Sequence, residues 1–208
     1  IFVDFACGSW GGRPWSDGVQ GNSNMFANMA SQSVELIESQ NPLQILRYEL
    51  IADRAGAGKY RGGAPYRRDY RFTEEEAVLQ VRSDRRRFRP YGLYGGRPGQ
   101  PSQNVMNPDN GARPLDSKLT MTLRRGDVFR HELAGGGGWG DPLEWDPGHV
   151  LADVRNEYVS VDGARRDYGV VIDDSNWSVD LAATGKLRKT RVEARSSDSL
   201  PAVVWEDE

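Results

Sequence analysis

Cysteine is almost absent from this sequence of 208 residues, which contains only Cys7. A single cysteine excludes an internal disulfide framework and is typical of a reducing compartment, so we expect a cytoplasmic protein. Long hydrophobic runs are also missing, since no segment approaches the ~20 apolar residues of a membrane-spanning helix. Histidine is limited to His131 and His149, and the net charge is −3. The basic run Arg85–Arg87 is interpreted as an ion-paired or subunit-facing loop, so neither a membrane nor a nucleic-acid partner is expected.

Glycine, in contrast, is abundant: the chain has 24 glycines and 11 prolines, which favour turns over long helices. The densest cluster, at residues 134–142, reads Ala-Gly-Gly-Gly-Gly-Trp-Gly-Asp-Pro. Four consecutive residues without a Cβ atom let the backbone pass close to another group. The large apolar Trp139 argues against a flexible linker. We therefore expect a close-packing crossover near the active site, and ligand binding through its N–H groups is the second possibility.

Short segments of alternating polarity dominate the chain before this cluster. Six strands are predicted from the alternation, at residues 1–5, 43–52, 66–72, 77–83, 119–123 and 128–133. Ser33 should cap a short helix. In the second strand, Leu46, Tyr48 and Leu50 form an apolar face that should be buried, and residues 74–76 should connect the next two strands as a polar hairpin. Strands at this spacing indicate an antiparallel sandwich or barrel-like domain.

The periodicity changes after the glycine cluster. Asp146 and Pro147 are typical of the first residues of a helix, and Ser160 is typical of the start of a second one. From Asp173 onward charged and small polar residues dominate, as expected of a tail that packs late, wraps a partner or is partly disordered. The predicted fold class is therefore α+β. It consists of a β-rich antiparallel domain with glycine-rich loops (residues 1–142), a short helical segment (143–172) and a polar tail (173–208).

Three motifs of catalytic or phosphate-binding loops fail at required positions. A Gly-x-Ser-x-Gly nucleophile elbow centred on Ser9 would need glycine where Cys7 stands. A P-loop with its lysine at Lys59 would need glycine where Asp53 stands and serine or threonine where Tyr60 stands. A dinucleotide-binding fingerprint would need glycine where Arg61 stands. These glycine-rich segments are therefore predicted to be turns between strands.

Six motifs nevertheless occur in series: Gly11–Pro14 with Asp17-Gly18, Gly56–Gly63, Ser83–Phe88, Gly92–Gly99, Gly135–Pro142, and Tyr158–Ser160 with Tyr168–Val171. In this order they resemble the C-terminal part of the hydantoinase B/oxoprolinase family, the B-type subunits of ATP-dependent hydantoinases and oxoprolinases. The resemblance runs through nearly all of residues 1–172. It implies that the chain is the C-terminal part of a longer B-type subunit.

The resemblance also implies a function, the hydrolysis of a cyclic amide or imide such as hydantoin or 5-oxoproline. In this family an A-type subunit with an actin-like fold uses ATP and Mg²⁺ to phosphorylate the ring, and the B-type subunit hydrolyses the activated ring. The implied partners are that A-type subunit and the N-terminal part of the B-type subunit, in a hetero-oligomer, so the fragment alone should be inactive. Two alternatives are a subunit of an ATP-dependent acetone or acetophenone carboxylase and a non-catalytic assembly domain.

The candidate site residues are Arg13, Asp17 and Asn24. Arg13 would hold a phosphate or carbonyl oxygen and Asp17 would orient water or a donor, while the alternative for both is loop structure. Asn24 stands about where the family often has histidine, which points to a different ring or reaction. The resemblance places the family's divalent-metal ligands upstream of Ile1. No metal ligand is predicted within the chain, and both histidines are expected to be structural or surface residues.

Overall fold

The first 144 residues form one unit whose regular elements are mostly strands. The computed structural model describes residues 1–23 and 26–197. In chain order the elements of this unit are α1 (Val34–Gln40), β1 (Leu43–Leu50), β2 (Tyr66–Phe72), β3 (Glu76–Arg82), β4 (Gln103–Met106), β5 (Arg113–Leu115), β6 (Lys118–Arg124) and β7 (Val128–Glu132), followed by a 3-10 turn at Pro142–Glu144. Helix α1 begins after Ser33, whose hydroxyl accepts the N–H of Leu36, so the predicted cap is confirmed.

Five strands form an antiparallel sheet of order β1-β2-β7-β4-β5, and β3 pairs with β6 in a second, two-stranded sheet. The predicted hairpin between β2 and β3 is wrong, because these strands belong to different sheets. Pairing with β6 lets β3 bury its alternate apolar side chains against the larger sheet. The resulting core contains Phe72, Val81, Met106, Leu115, Leu123 and Phe129. The α+β fold class with an antiparallel β-rich domain is confirmed.

The apolar face predicted for β1 is only half covered. Tyr48 and Leu50 are 44% and 42% exposed, so the prediction that this face is buried is wrong. β1 lies at the edge of the sheet, and its register with β2 shifts between Ile45 and Arg47. A bulge of this kind breaks the strict alternation on which the prediction depended.

The glycine cluster runs beside three other glycine-rich segments, at residues 10–12, 56–63 and 92–99, and is joined to them by backbone hydrogen bonds. A Cβ atom built on Gly137 would overlap the carbonyl oxygen of Tyr91. No side-chain rotation could relieve that overlap, because both groups belong to the backbone. Glycine is therefore required here for close approach, and the expected close-packing role is confirmed.

Most N–H groups of the cluster are already bonded. Those of Gly135, Gly136, Gly138 and Gly140 donate to carbonyl oxygens of other segments at 2.9 to 3.1 Å. Donors used in this way are not available to a ligand, so the second possibility for this cluster finds no support at these four positions. Trp139 anchors the segment through ring contacts with two tyrosines.

The second unit begins at Trp145. Its elements are α2 (Pro147–Arg155), α3 (Val161–Tyr168), β8 (Ile172–Asp173), β9 (Ser178–Val179) and α4 (Leu181–Ser197). Asp146 caps α2 and Ser160 caps α3, as predicted. The 17-residue helix α4 was not predicted, since that part of the chain reads as a polar tail. Residues 198–208 of the predicted tail lie outside the described residues. Among the described residues, no helix is long and apolar enough to cross a membrane.

Candidate functional site

The loop that holds Arg13 and Asp17 is a tight turn closed by backbone hydrogen bonds between Arg13 and Ser16. Nη2 of Arg13 donates to the carbonyl oxygen of Asp17 at 3.2 Å. The guanidinium carbon of Arg13 also lies 6.0 Å from the centre of the Trp10 ring. The structure thus brings two of the three predicted site residues together. The third, Asn24, lies outside the described residues and stays a prediction.

The carboxylate of Asp17 faces a neighbouring glycine-rich segment. Its Oδ1 accepts the N–H of Arg61 at 2.8 Å, and the N–H of Gly18 donates to the carbonyl oxygen of Arg61 at 2.7 Å. Asp17 therefore has the structural task of tying two loops together. Nε of Arg13 is buried and has no hydrogen-bond partner among the described residues, so it retains a donor for an oxyanion.

A second polar cluster, not expected from the sequence, lies on one face of the five-stranded sheet. At its centre is Arg68 of β2, which is paired in register with Tyr48 of β1 and with His131 of β7. Tyr66 and Tyr70 lie two positions away on the same strand and project to the same face. Together with Asp4 and Asn104, which contact members of this set, these residues form what we call the Arg68 cluster.

Asp4 reaches the cluster from the N-terminal segment. Residues 1–5, predicted as a strand, form none. Instead Nη1 of Arg68 donates to Oδ2 of Asp4 at 2.6 Å, and the hydroxyl of Tyr70 donates to the same oxygen. Arg68 is only 1% exposed, so this is a buried ion pair. The contact with Asp4 replaces the sheet pairing that the alternating sequence predicts for this segment.

Aromatic rings surround the Arg68 guanidinium. Its central carbon lies 3.9 Å from the ring centre of Tyr48, 5.7 Å from that of Tyr66 and 6.0 Å from that of Tyr70. Burial acts to lower the pKa of Arg68, but Tyr70 and Asp4 raise it by more, so the net shift is upward. Burial also raises the pKa of Tyr66 and of Tyr70. At neutral pH the cluster therefore holds a charged guanidinium among neutral phenols.

His131 is held as a neutral ring. Nδ2 of Asn104 donates to Ser83 Oγ at 2.8 Å and to the carbonyl oxygen of Asp116 at 3.0 Å, which leaves Oδ1 as an acceptor. Nδ1 of His131 lies 2.6 Å from that oxygen and therefore carries the proton. Burial lowers the pKa of His131 to about 4. Its Nε2 is consequently a hydrogen-bond acceptor at neutral pH.

The structure also bears on metal binding. In residues 1–23 and 26–197, no group of three or more His, Cys, Asp or Glu side chains is placed to hold a metal ion. His149 is exposed at the start of α2, whereas His131 is bonded within the sheet. The expected structural or surface roles of the two histidines agree with these positions.

Part of the Arg68 cluster could have been found in the sequence. The run Tyr66–Tyr70 places its two tyrosines and Arg68 on one face of a strand, which alternation alone reveals. The contribution of Asp4 could not be found, because it depends on a contact between residues 64 positions apart in the chain. From the sequence, Arg67 and Arg68 read only as a basic pair.

The fold is shared with two enzymes of known structure. A crystal structure of ATP-dependent caprolactamase from Pseudomonas jessenii is 31% identical, with a TM-score of 0.75, over 88% of this chain and 33% of that chain. A nucleotide-free structure of acetone carboxylase has a TM-score of 0.78 over 94% of this chain and 31% of that chain. At 22% identity, the second match shows the fold alone.

Sequence comparison then defines the family. Residues 1–142 match the family described as hydantoinase B/oxoprolinase, and the chain belongs to that family, as its six motifs predict. A putative B-type subunit of a D-/L-hydantoinase from Pseudomonas sp. (strain NS671) is 33% identical over 192 residues, which are 91% of this chain and 32% of that protein. The chain thus spans about a third of the length of the relatives it matches.

Proposed function

We propose that this chain is part of an ATP-dependent amidohydrolase that opens a cyclic amide or imide ring. The observation that carries the proposal is its 33% identity, over 91% of its length, to a protein named as the B-type part of a hydantoinase. The match to the ATP-dependent caprolactamase supports the same reaction class, because caprolactam is also a cyclic amide. We place the protein in the cytoplasm, in a hetero-oligomer with an A-type ATP-binding subunit and the remaining part of the B-type subunit.

A cyclic amide is a poor electrophile, since its nitrogen donates electrons to the carbonyl carbon. In the proposed reaction the partner subunit, which holds ATP and Mg²⁺, transfers a phosphoryl group to the carbonyl oxygen. Water then attacks the carbon and the C–N bond breaks, which gives an amine and an acyl phosphate. A second water hydrolyses the acyl phosphate, so the products carry a carboxylate and an amine, and phosphate is released. The B-type subunit must therefore hold an anionic, planar group and direct donors at the charge that develops on it.

Arg13 and Asp17 are the residues of this chain to which we assign that task. The buried Nε of Arg13 offers a donor to a phosphate or carbonyl oxygen. Asp17 positions the loop of Arg13 through its bond to the N–H of Arg61 and would orient water or a donor with its carboxylate. The described residues offer no cluster of metal-ligating side chains, and the roles assigned to Arg13 and Asp17 do not involve a metal bound by this chain.

The proposal is tested with the complete protein and its ATP-binding partner subunit. ATP-dependent formation of ring-opened product should be seen with at least one of hydantoin, 5-oxoproline and caprolactam. Acetone and acetophenone with bicarbonate serve as the alternative substrates. Carboxylation of a ketone without hydrolysis of any cyclic amide would instead assign the chain to a carboxylase.

Variants of the two site residues test their roles in that assay. Asp17→Asn keeps an oxygen for the N–H of Arg61 but removes the charge, and Arg13→Lys keeps the charge but removes Nε. Arg13→Lys should lower kcat by about 100-fold, the usual effect of losing one donor at a developing oxyanion. Asp17→Asn should lower kcat by about 100-fold as well, because the charged acceptor that orients water is lost. Arg89→Lys, at an exposed position, is the control and should leave turnover unchanged. Unchanged turnover in folded Arg13 and Asp17 variants would favour the non-catalytic assembly domain.

A further inference from the structure

One edge of the Arg68 guanidinium is buried and has no hydrogen-bond partner within residues 1–23 and 26–197. Nη1 is bonded to Asp4, but neither Nε nor Nη2 has a hydrogen-bond partner among the described residues, although both atoms are shielded from solvent. These two nitrogens point their N–H groups to the same side, with the spacing of two oxygens in a carboxylate or phosphate. Buried donors are nearly always satisfied in folded proteins, so this edge requires an explanation.

A second arginine in the same sheet, Arg130, has the Nε and Nη2 edge of its guanidinium fully hydrogen-bonded. Nε of Arg130 donates to Asp69 Oδ1 at 2.8 Å, and its Nη2 donates to Asp69 Oδ2 at 2.7 Å. Arg130 is on β7, next to β2, and its side chain projects to the opposite face from His131 and Arg68. One face of the sheet thus contains an arginine bound by a carboxylate through Nε and Nη2. The other face contains Arg68, whose same edge is not bonded to any residue that the structure describes.

The surroundings fix the orientation of the unbound edge. The Tyr48 ring stacks on the guanidinium at 3.9 Å, and the bond from Nη1 to Asp4 prevents rotation of the group in its plane. Arg68 therefore loses little conformational entropy when it binds, because its side chain is already ordered. A cavity of about 170 Å³ opens beside Asp4 and is lined by Val3, Asp4, Phe5, Met29, Ala30 and Gln32. Of the residues of the Arg68 cluster, this cavity is lined by Asp4 alone.

We propose that Nε–H and Nη2–H of Arg68 bind two oxygens of an oxyanion, a carboxylate or a phosphate, on a small molecule. The assignment of that molecule to the reaction rests on the proposed function, in which ring opening yields both a carboxylate and phosphate. Binding itself does not require turnover. Asp4 already balances the charge of Arg68, so the ligand is held by the geometry of two parallel hydrogen bonds rather than by an excess of positive charge.

Isothermal titration of the complete protein with acetate and, separately, with inorganic phosphate tests the proposal, with chloride at equal ionic strength as the reference. At least one of the two anions should bind, and the tighter one identifies the group that the site accepts. Arg68→Lys keeps the charge near Asp4 but lacks the two parallel donors, and it should weaken binding at least about tenfold. Arg130→Lys is the matched control, since its edge is filled by Asp69, and it should bind like the wild type.

A further variant keeps the test decisive if Arg68→Lys does not fold. Tyr48→Leu retains every N–H group of Arg68 but removes the stacking ring from a half-exposed position, so binding should weaken several-fold while the fold persists. Absence of binding by both anions in the wild type would overturn the proposal. Equal affinities of wild type, Arg68→Lys and Tyr48→Leu would overturn it as well. Neither result depends on the proposed enzymatic activity, because no turnover is measured.

Discussion

His131 gives the sheet a pH dependence that the sequence alone does not suggest. Its ring is neutral in the folded protein, because burial lowers its pKa from 6.5 to about 4. The unfolded chain therefore binds a proton at a higher pH than the folded chain does. Between these two pKa values, acid favours the unfolded state.

We expect the free energy of unfolding to fall as the pH drops through this window, by at most about 3 kcal/mol, since one pKa unit corresponds to about 1.4 kcal/mol. Above the ordinary pKa of histidine, this contribution should be constant. Urea unfolding at about pH 7 and about pH 5 measures the change.

His131→Asn is the control for that measurement. Its amide N–H can still donate to Asn104, but the side chain does not titrate. The variant should lose part of the pH dependence between these two values. An identical pH dependence in the two proteins would show that other groups cause it.

At the scale of elements, the glycine cluster is the part of the fold most sensitive to small changes. Gly137→Ala places a methyl group against the backbone carbonyl of Tyr91. We expect a loss of at least about 4 kcal/mol in the free energy of unfolding, or no folded protein, because backbone atoms must move. Thermal or urea unfolding checks this result.

Gly185→Ala makes the same chemical change where nothing opposes it. An added Cβ atom at Gly185, within α4, meets no other atom within 4 Å. Replacing glycine by alanine inside a helix should stabilise the protein by about 0.5–1 kcal/mol. The two variants should change the free energy of unfolding in opposite directions, which separates the effect of close packing from a general effect of alanine. Equal free energies of unfolding in the two variants would refute the close-packing role of Gly137.

The positions of the helices and strands were easier to predict from the sequence than the pairing of the strands. Alternation located β2 and β7, and side-chain caps located α2 and α3, because these signals lie within a few residues of each other. The pairing of β3 with β6 depends on contacts across more than 30 residues, and no local pattern specifies it. Helix α4 escaped prediction because its sequence is mostly polar, without a clear apolar stripe.

The candidate site and the Arg68 cluster show the same limit, since local sequence patterns do not reveal contacts between distant residues. Arg13 and Asp17 were predicted as site residues from one glycine-rich segment of the sequence, and the short turn that holds both of them is local. Arg68 was not singled out, because its partners Asp4 and His131 come from opposite ends of the first unit. In the sequence alone, a buried arginine cannot be distinguished from an exposed one, because burial depends on residues that are distant in the chain.

At the scale of the whole molecule, each of the two units has a core of its own. Val150 is fully buried in the second unit, whereas Val192 on α4 is 53% exposed. Val150→Ala should cost about 2 kcal/mol through lost packing. We expect faster amide hydrogen exchange in α2 and α3 as the direct readout.

Val192→Ala removes the same two methyl groups from an exposed position. It should change the stability by no more than about 0.5 kcal/mol and leave exchange in α2 and α3 unchanged. If both variants accelerate exchange equally, the buried contacts of Val150 are not what stabilises these helices.

The glycine cluster also restricts which mutations the gene can accept. Every single-base change of a glycine codon that alters the amino acid introduces a residue with a Cβ atom. At Gly136, Gly137 and Gly138 that atom would meet a backbone carbonyl. No one-step substitution at these codons preserves the packing, so random mutagenesis should recover them unchanged. Divergence of this chain must therefore proceed at positions other than these three glycines.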